Sequence, residues 1–387
     1  MRYENVEVIA LTRRLVQIES TNVGTFEGEI SRFVADWLTQ NTKAQVVRDE
    51  FEPGRFNVMA TLKGKQAHPN LIYVAHMDTV PVGSDWTKDP FAAEIVDGKM
   101  YGRGAFDMKA GLACAMIAFR DFEKKCREEG LTPKYDFTFV GSGDEEDVMK
   151  GADRLVEIGL ADRQTLVLDT EPTSGEIYMA HKGKTWFEIS TKGKAAHGST
   201  PYKGADAIVA MAEVILEIKN RLDAYPEDPV MGRNTVCFGT INGGFNTNIV
   251  ADRCAIQIDV RLAPPLTNEG SIKLVEDAIE AATARVPGTS GSYRVIAQRP
   301  YVQINEDSFL LKSLQDSCEK ITGARPQPLV FTGYTDSGVI DGSTGCKNGM
   351  SYGAAGAHEH QADEYVECDS VIQSLEVYKD LTQRILL

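Results

Sequence analysis

Up to about residue 170, apolar positions follow two alternating patterns. Short runs at 57–64, 71–76, 135–142 and 165–169 are nearly continuous, as in strands covered on both faces. Between them, 108–126 repeats its apolar residues at helical spacing and gathers charge toward its end. Near the start, Val8, Leu11, Leu15 and Ile18 share one face of a predicted amphipathic helix. This alternation predicts a parallel α/β sheet. The pattern changes near residue 178. A strand of alternating faces (183–193), a long amphipathic helix (204–222), two strands (234–244 and 253–262), a helix (270–286) and a strand (292–298) follow. That order is the split βαβ, or ferredoxin-like, signature. A helix at 308–323 and apolar runs at 328–333 and 350–356 then resume the first pattern. The expected fold is therefore α/β, with a mixed, mostly parallel sheet flanked by helices. It is built from 1–177 and 298–387 and interrupted by a ferredoxin-like α+β domain at 178–297. Insertion is tolerated where chain ends lie close together at a surface.

Composition narrows the picture. Of 387 residues, 42% are apolar, enough for two full cores. No apolar run approaches the ~18 residues of a membrane span, so no membrane association is expected. The opening MRYENVEVIALTRRLVQIES is too charged for a signal peptide. Seven cysteines, an odd number with no CxxC pair, suit free thiols in a reducing cytoplasm. A net charge of -15 repels phosphate backbones and argues against nucleic acid as a partner.

The candidate chemistry sits where apolar runs end. These ends carry His76 and Asp78, Asp107, Glu145 and Glu146, Asp169 and Glu171, and His358 and His360. A parallel sheet gathers the carboxyl ends of its strands at one edge, where ligands bind. Imidazole together with carboxylates suits a pair of divalent cations. Each cluster alone has a plainer reading. His76-x-Asp78 could be ordinary strand-end polarity, Asp107 a helix cap, and Glu145-Glu146 a solvated acidic loop. Together they supply a bridging carboxylate, terminal ligands for two ions, and one glutamate free to act as a base. No phosphate-cradling glycine loop followed by Lys-Ser/Thr is present, which disfavours a phosphohydrolase.

Five motifs carry a resemblance over essentially the whole chain: His76-Met-Asp-Thr-Val-Pro81, Gly102-Arg-Gly-x-x-Asp107-Met-Lys109, Gly143-Asp-Glu-Glu146, Glu171-Pro-Thr173 and His360-x-x-Asp-Glu364. They resemble the zinc aminoacylase family, with its acetylornithine deacetylases, succinyl-diaminopimelate desuccinylases and glutamate carboxypeptidases. The resemblance implies two Zn2+ per chain, for which Co2+ or Mn2+ could substitute. It assigns His76, Asp107 and Glu171 to one zinc, and Asp107, Glu146 and His360 to the other, with His358 the competing histidine. Glu145 would be the catalytic glutamate and Asp78 the aspartate that orients His76. The insert would be a lid and dimerisation domain. Its His197, in Lys194-Ala-Ala-His197, would reach an active site, typically the partner's, to stabilise an oxyanion. Asn248, Arg261 and Asp336 would contact substrate, although Ala251 stands where the family has proline and Tyr334 where it has a small residue. The implied activity is hydrolysis of an N-acyl amino acid by a cytoplasmic homodimer. A dipeptidase or carboxypeptidase acting on short peptides is the alternative, and a non-catalytic binding protein a distant one.

Overall fold

The computed structural model describes residues 3–387. The chain divides into two compact units, one running to Ala180 and resuming at Gln303–Leu387, the other His181–Val302.

The first unit is organised around an eight-stranded sheet. Its order is Gln45–Glu52, Arg55–Leu62, Tyr135–Ser142, Gln66–His76, Leu166–Asp169, Gly349–Ser351, Ile177–His181 and Pro328–Phe331. The central strands pair in parallel. Antiparallel pairs flank them: Gln45–Glu52 with Arg55–Leu62, Arg55–Leu62 with Tyr135–Ser142, and Gly349–Ser351 with Ile177–His181. The continuous apolar runs have the cause the sequence suggested. Leu71, Tyr73 and Ala75 face one core, while Ile72 and Val74 face a second on the other side. The first core is closed by helices Glu7–Val16, Ala110–Glu129, Phe309–Thr322 and Cys368–Leu386. Val8, Leu11, Leu15 and Ile18 are all buried there, with Ile18 just beyond the helix end. No helix among the described residues is long and apolar enough to cross a membrane.

Two glycines bring chain segments unusually close. A Cβ on Gly111, at the start of helix Ala110–Glu129, would lie 2.0 Å from the Thr170 carbonyl oxygen, and one on Gly353 would lie 2.4 Å from that of Glu171. The backbone carrying Glu171 is thus clasped from both sides at a separation only glycine permits.

The second unit is a four-stranded antiparallel sheet in the order Thr235–Gly243, Arg253–Leu262, Gly183–Lys192, Ser290–Arg299. Helices Ala207–Asp223 and Asn268–Arg285 cover one face and bury Met211, Val214, Val275 and Ala278 against it.

Candidate metal and catalytic site

His76 is the last residue of strand Gln66–His76, buried at the edge where the parallel strands end. Its Nε2 lies 3.0 Å from Asp107 Oδ1 and 3.8 Å from Glu171 Oε1. The other Asp107 oxygen, Oδ2, lies 3.1 Å from His360 Nε2, which is also 3.0 Å from Glu146 Oε2. The two oxygens of one carboxylate therefore serve two histidines, each with a further glutamate beside it. Ligand atoms of His76, Asp107 and Glu146 lie within 4.8 Å of one another, as do those of His76, Glu145 and Glu171.

Asp107 does not cap a helix. It lies on a turn between Gly104, with φ of 79°, and the helix that starts at Ala110, whose first turn has no side-chain cap. The turn is held from elsewhere. Buried Glu364 accepts the N–H groups of Phe106 (2.9 Å), Asp107 (3.0 Å) and Gly104 (3.2 Å), and pairs with buried Arg103. Its neighbour Asp363 accepts from the Thr87 N–H at 3.0 Å and the Thr87 hydroxyl at 2.8 Å. Glu364 thus fastens the His360 segment to the Asp107 turn, and Asp363 fastens it to Thr87.

Asp78 lies beside His76 and also serves other donors. His76 Nδ1 meets the Asp78 backbone carbonyl at 2.9 Å, whereas the nearest Asp78 carboxylate oxygen is 3.8 Å away. The ring is fixed by the backbone, because the carboxylate is engaged by other donors. It accepts the N–H groups of Glu145 and Glu146, each at 3.2 Å, and the Asn22 amide at 2.8 Å. Asp78 thereby shapes the loop bearing both glutamates. A buried network secures that loop further. Arg55 pairs with Glu27 and, at 2.6 Å, with Asp144, while Glu27 accepts the Asp144 N–H at 2.9 Å. Asp144 adopts a left-handed φ of 68°. Neither Arg55 nor Glu27 was suggested by the sequence, since nothing near either resembles a ligand motif.

The histidine pair separates cleanly. His360 joins Asp107 and Glu146, whereas His358 Nδ1 contacts the Asp363 carbonyl at 3.2 Å and its ring lies against Tyr365. Both have positive φ (66° at His358, 60° at His360), a strained backbone of the kind that collects at functional sites. Asp169 turns away: its carboxylate accepts the Ser337 N–H at 2.9 Å. Asp336 does not stand on the pocket wall as expected of a substrate contact. It is buried at the start of helix Asp336–Thr344 and accepts from the Ser142 hydroxyl, while Tyr334 and Thr335 line the pocket instead. The pocket, about 220 Å³, is bounded by Asp107, Glu145, Glu146, Glu171, Tyr334 and His360. A larger groove of about 590 Å³, between Val47, Met59 and Leu160, holds none of these residues.

Electrostatics follows from this crowding. Burial pushes the Glu145 and Glu171 carboxyls well above the usual range and Asp78 up to about 7. For Asp107, burial acts in the same direction, but contacts with His360 and His76 outweigh it and hold the group below that range. His360 is raised to about 11 by Asp107 and then Glu146. The site therefore concentrates negative charge around a position that calls for cations. The distances suit them. Two ligands each ~2.0–2.2 Å from a tetrahedral ion stand about 3.3–3.6 Å apart, and the four contacts above span 3.0 to 3.8 Å. Glu146 Oε1 is buried without a hydrogen-bond partner. The donor set, two imidazoles and three carboxylates, fits a pair of divalent ions of the zinc type.

In the second unit, His197 is exposed, with Nδ1 2.8 Å from the Ser199 hydroxyl. It bridges to Ile249, beside exposed Asn248, whose carbonyl accepts the Gly198 N–H at 2.7 Å. Arg261 lies elsewhere in the unit and pairs with Asp259 at 3.0 Å.

Comparison with known proteins places the chain in a family. Two curated relatives align over nearly their full length. A probable succinyl-diaminopimelate desuccinylase from Staphylococcus epidermidis is 26% identical, covering 96% of each chain. An acetylornithine deacetylase from Proteus mirabilis is 28% identical, covering 98% of this chain and 97% of the relative. Among solved structures, the aminopeptidase PepT from Bacillus cereus superposes with a TM-score of 0.80 over 98% of both chains, at 23% identity. Residues 72–384 match the profile of Peptidase family M20/M25/M40. The chain belongs to that family and is a metal-dependent hydrolase acting on amide bonds.

Proposed function

We propose that this protein hydrolyses the amide bond of an N-acyl amino acid with two zinc ions. His76, Asp107 and Glu171 hold one ion, and Asp107, Glu146 and His360 the other. The observation that carries this reading is Asp107, whose two oxygens face two different histidines. The bound cations supply Lewis-acid polarisation of the carbonyl and lower the pKa of water toward neutrality. Glu145 is left unligated and acts as general base, taking a proton from the attacking water and delivering it to the departing amine. Its burial, which raises the carboxyl, suits a group that must both accept and release a proton near neutral pH. Asp78 and Asn22 hold the Glu145–Glu146 turn. The 3.2 Å bonds from both glutamate N–H groups support assigning Asp78 this positioning role beside its 3.8 Å contact with His76 Nδ1.

In the insert, we assign His197 to stabilise the developing oxyanion and Arg261 to bind the substrate carboxylate, with Asn248 beside His197. Within that unit, Arg253 pairs with Lys192 and Arg261 with Lys184. The His197 loop, which follows Lys192, and Arg261 are therefore at opposite ends of the strands, roughly 26 Å apart at ~3.3 Å per residue. One insert cannot present both to a single small substrate, and this supports a homodimer in which each site receives His197 from the partner. Exposed Ile208, Ile241 and Phe245 give the insert an apolar patch suited to such an interface. Seven free cysteines suit a cytoplasmic location.

A hydrolysis screen tests the reading. Zinc- or cobalt-loaded protein is offered N-acetyl and N-succinyl amino acids alongside dipeptides. Turnover of an N-acyl amino acid is expected. Cleavage of dipeptides alone would shift the assignment to dipeptidase or carboxypeptidase.

A further inference from the structure

Within the insert, a groove of about 410 Å³ is lined by Ser190, Lys192, Asn242 and Arg253, with Gly243 and Gly244. Strand register brings the four side chains together. Lys192 stands opposite Arg253, while Ser190 and Asn242 flank Ala255 from the strands on either side. Alternate residues of a strand share a face. The neighbours Ile189, Cys254 and Ile256 point into the core beneath the helices, so these four point the other way. Ile241, opposite Ile256, is on the helix side, and the groove therefore opens on the face away from it.

The groove's chemistry follows from what its side chains lack. Like charges directly opposite each other destabilise a sheet. Yet neither Lys192 nor Arg253 makes an ion pair or side-chain hydrogen bond among the described residues. On the same face, the first carboxylate back along the strand from Lys192 is Glu188, and it is already shared by Arg294 at 3.1 Å and Gln257 at 3.3 Å. The Ser190 hydroxyl and the Asn242 amide are also without a partner among the described residues. In a chain of net charge -15, two unopposed cations one strand apart are a local exception. Guanidinium, ammonium, hydroxyl and amide all donate hydrogen bonds, and an anion with several acceptor oxygens satisfies them together. Arginine and lysine are the usual partners of phosphate. The volume exceeds a bare tetrahedral ion and falls within the ~300–1,000 Å³ of small-molecule pockets.

We propose that Ser190, Lys192, Asn242 and Arg253 form a binding site for a phosphoryl group, carried by a small organic molecule or free as inorganic phosphate. No residue of the metal centre takes part. The site stands at the base of two segments. Lys192 precedes the one bearing His197, and Arg253 follows the one bearing Asn248. Those segments are joined by the Gly193 N–H to the Asp252 carbonyl at 2.8 Å and the Gly198 N–H to the Asn248 carbonyl at 2.7 Å. An anion held between Lys192 and Arg253 fastens both segments where they leave the sheet.

Isothermal titration calorimetry of the zinc-loaded, desalted chain tests this with two probes, glycerol 3-phosphate and inorganic phosphate. Zinc also attracts phosphate, so the readout is the difference between the wild type and variants that leave the metal ligands untouched. None of the four side chains lies in the core, so the variants keep the fold. Lys192→Ala and Arg253→Ala should each weaken binding about tenfold or more. Ser190→Ala and Asn242→Ala should each weaken it roughly threefold, the scale of one neutral hydrogen bond. Tighter binding of glycerol 3-phosphate than of inorganic phosphate identifies an organic phosphate as the occupant, and equal binding identifies the phosphoryl group alone; both uphold the site. Affinity unchanged in Lys192→Ala and Arg253→Ala overturns it, as does the absence of binding by both probes at millimolar concentration. A loss confined to the two charge variants, with Ser190→Ala and Asn242→Ala matching the wild type, overturns it too, since that is the behaviour of diffuse charge.

Discussion

At the scale of residues, the site divides labour between neighbours. Glu145 and Glu146 are adjacent, yet Glu146 meets His360, while Glu145 groups with His76 and Glu171. The same contrast separates the last two histidines. Removing His360 should cost the second ion dearly, by at least the ~10–100-fold loss that even outer-shell changes cause. His358→Ala should leave the ion in place, because that ring packs on Tyr365 and contacts the Asp363 carbonyl. Zinc titration of the two variants against a competing chelator checks this; equal losses would show that His358 also ligates. The His-x-x-Asp-Glu motif favoured His360 but left His358 as a competitor. Two residues apart, their ring directions depend on a left-handed backbone that no periodicity encodes. The same limit explains Asp78. Its position suggested a partner for His76, but whether its carbonyl or its carboxylate meets the ring is decided by which other donors surround it.

At the scale of elements, the site is a set of loops fastened by buried polar contacts. Arg55 joins Glu27 to Asp144 and so ties the 143–147 loop to two distant parts of the chain. Arg55→Met should destabilise the fold by about 3–5 kcal/mol, the usual cost of leaving buried carboxylates without their partner. The shift in urea midpoint measures it; a change below 1 kcal/mol, on the order of an exposed pair, would mean the network is not closed as described. Gly111→Ala acts on the other side of the site. The added Cβ would collide with the Thr170 carbonyl at 2.0 Å, displacing the segment that presents Glu171. Weaker zinc binding with helix content retained by circular dichroism is the expected outcome; unaltered zinc affinity would show that the clasp does not position Glu171. Such contacts were invisible in the sequence because their partners are far apart and of unremarkable type. The strands themselves were legible because burial on both faces forces continuous apolar runs. What periodicity could not give was pairing direction, so Gln45–Glu52 and Arg55–Leu62 emerge as an antiparallel flank to the parallel centre.

At the scale of the whole molecule, the proposed homodimer rests on the insert's own geometry. His197 and Arg261 stand at opposite ends of its strands. If both serve one substrate, inactive His197→Ala and inactive Glu145→Gln chains should restore activity when mixed as heterodimers, since one of the two sites then receives a native His197 and a native Glu145. Mixtures that stay inactive would place His197 in its own chain's site or outside the reaction. Ile241→Asp with Phe245→Asp should yield a folded monomer by analytical ultracentrifugation, with turnover lost along with the dimer.

On the proposed reading, Asp107 is shared by two cations while Glu145 holds none. Metal analysis of three purified proteins, each loaded with zinc and desalted, tests it most directly. Two zincs per chain are expected in the wild type, and two in Glu145→Gln, with amide turnover down by roughly 10²–10⁴-fold. Asp107→Ala should retain less than one. A single zinc in the wild type, or the loss of one in Glu145→Gln, would contradict the account.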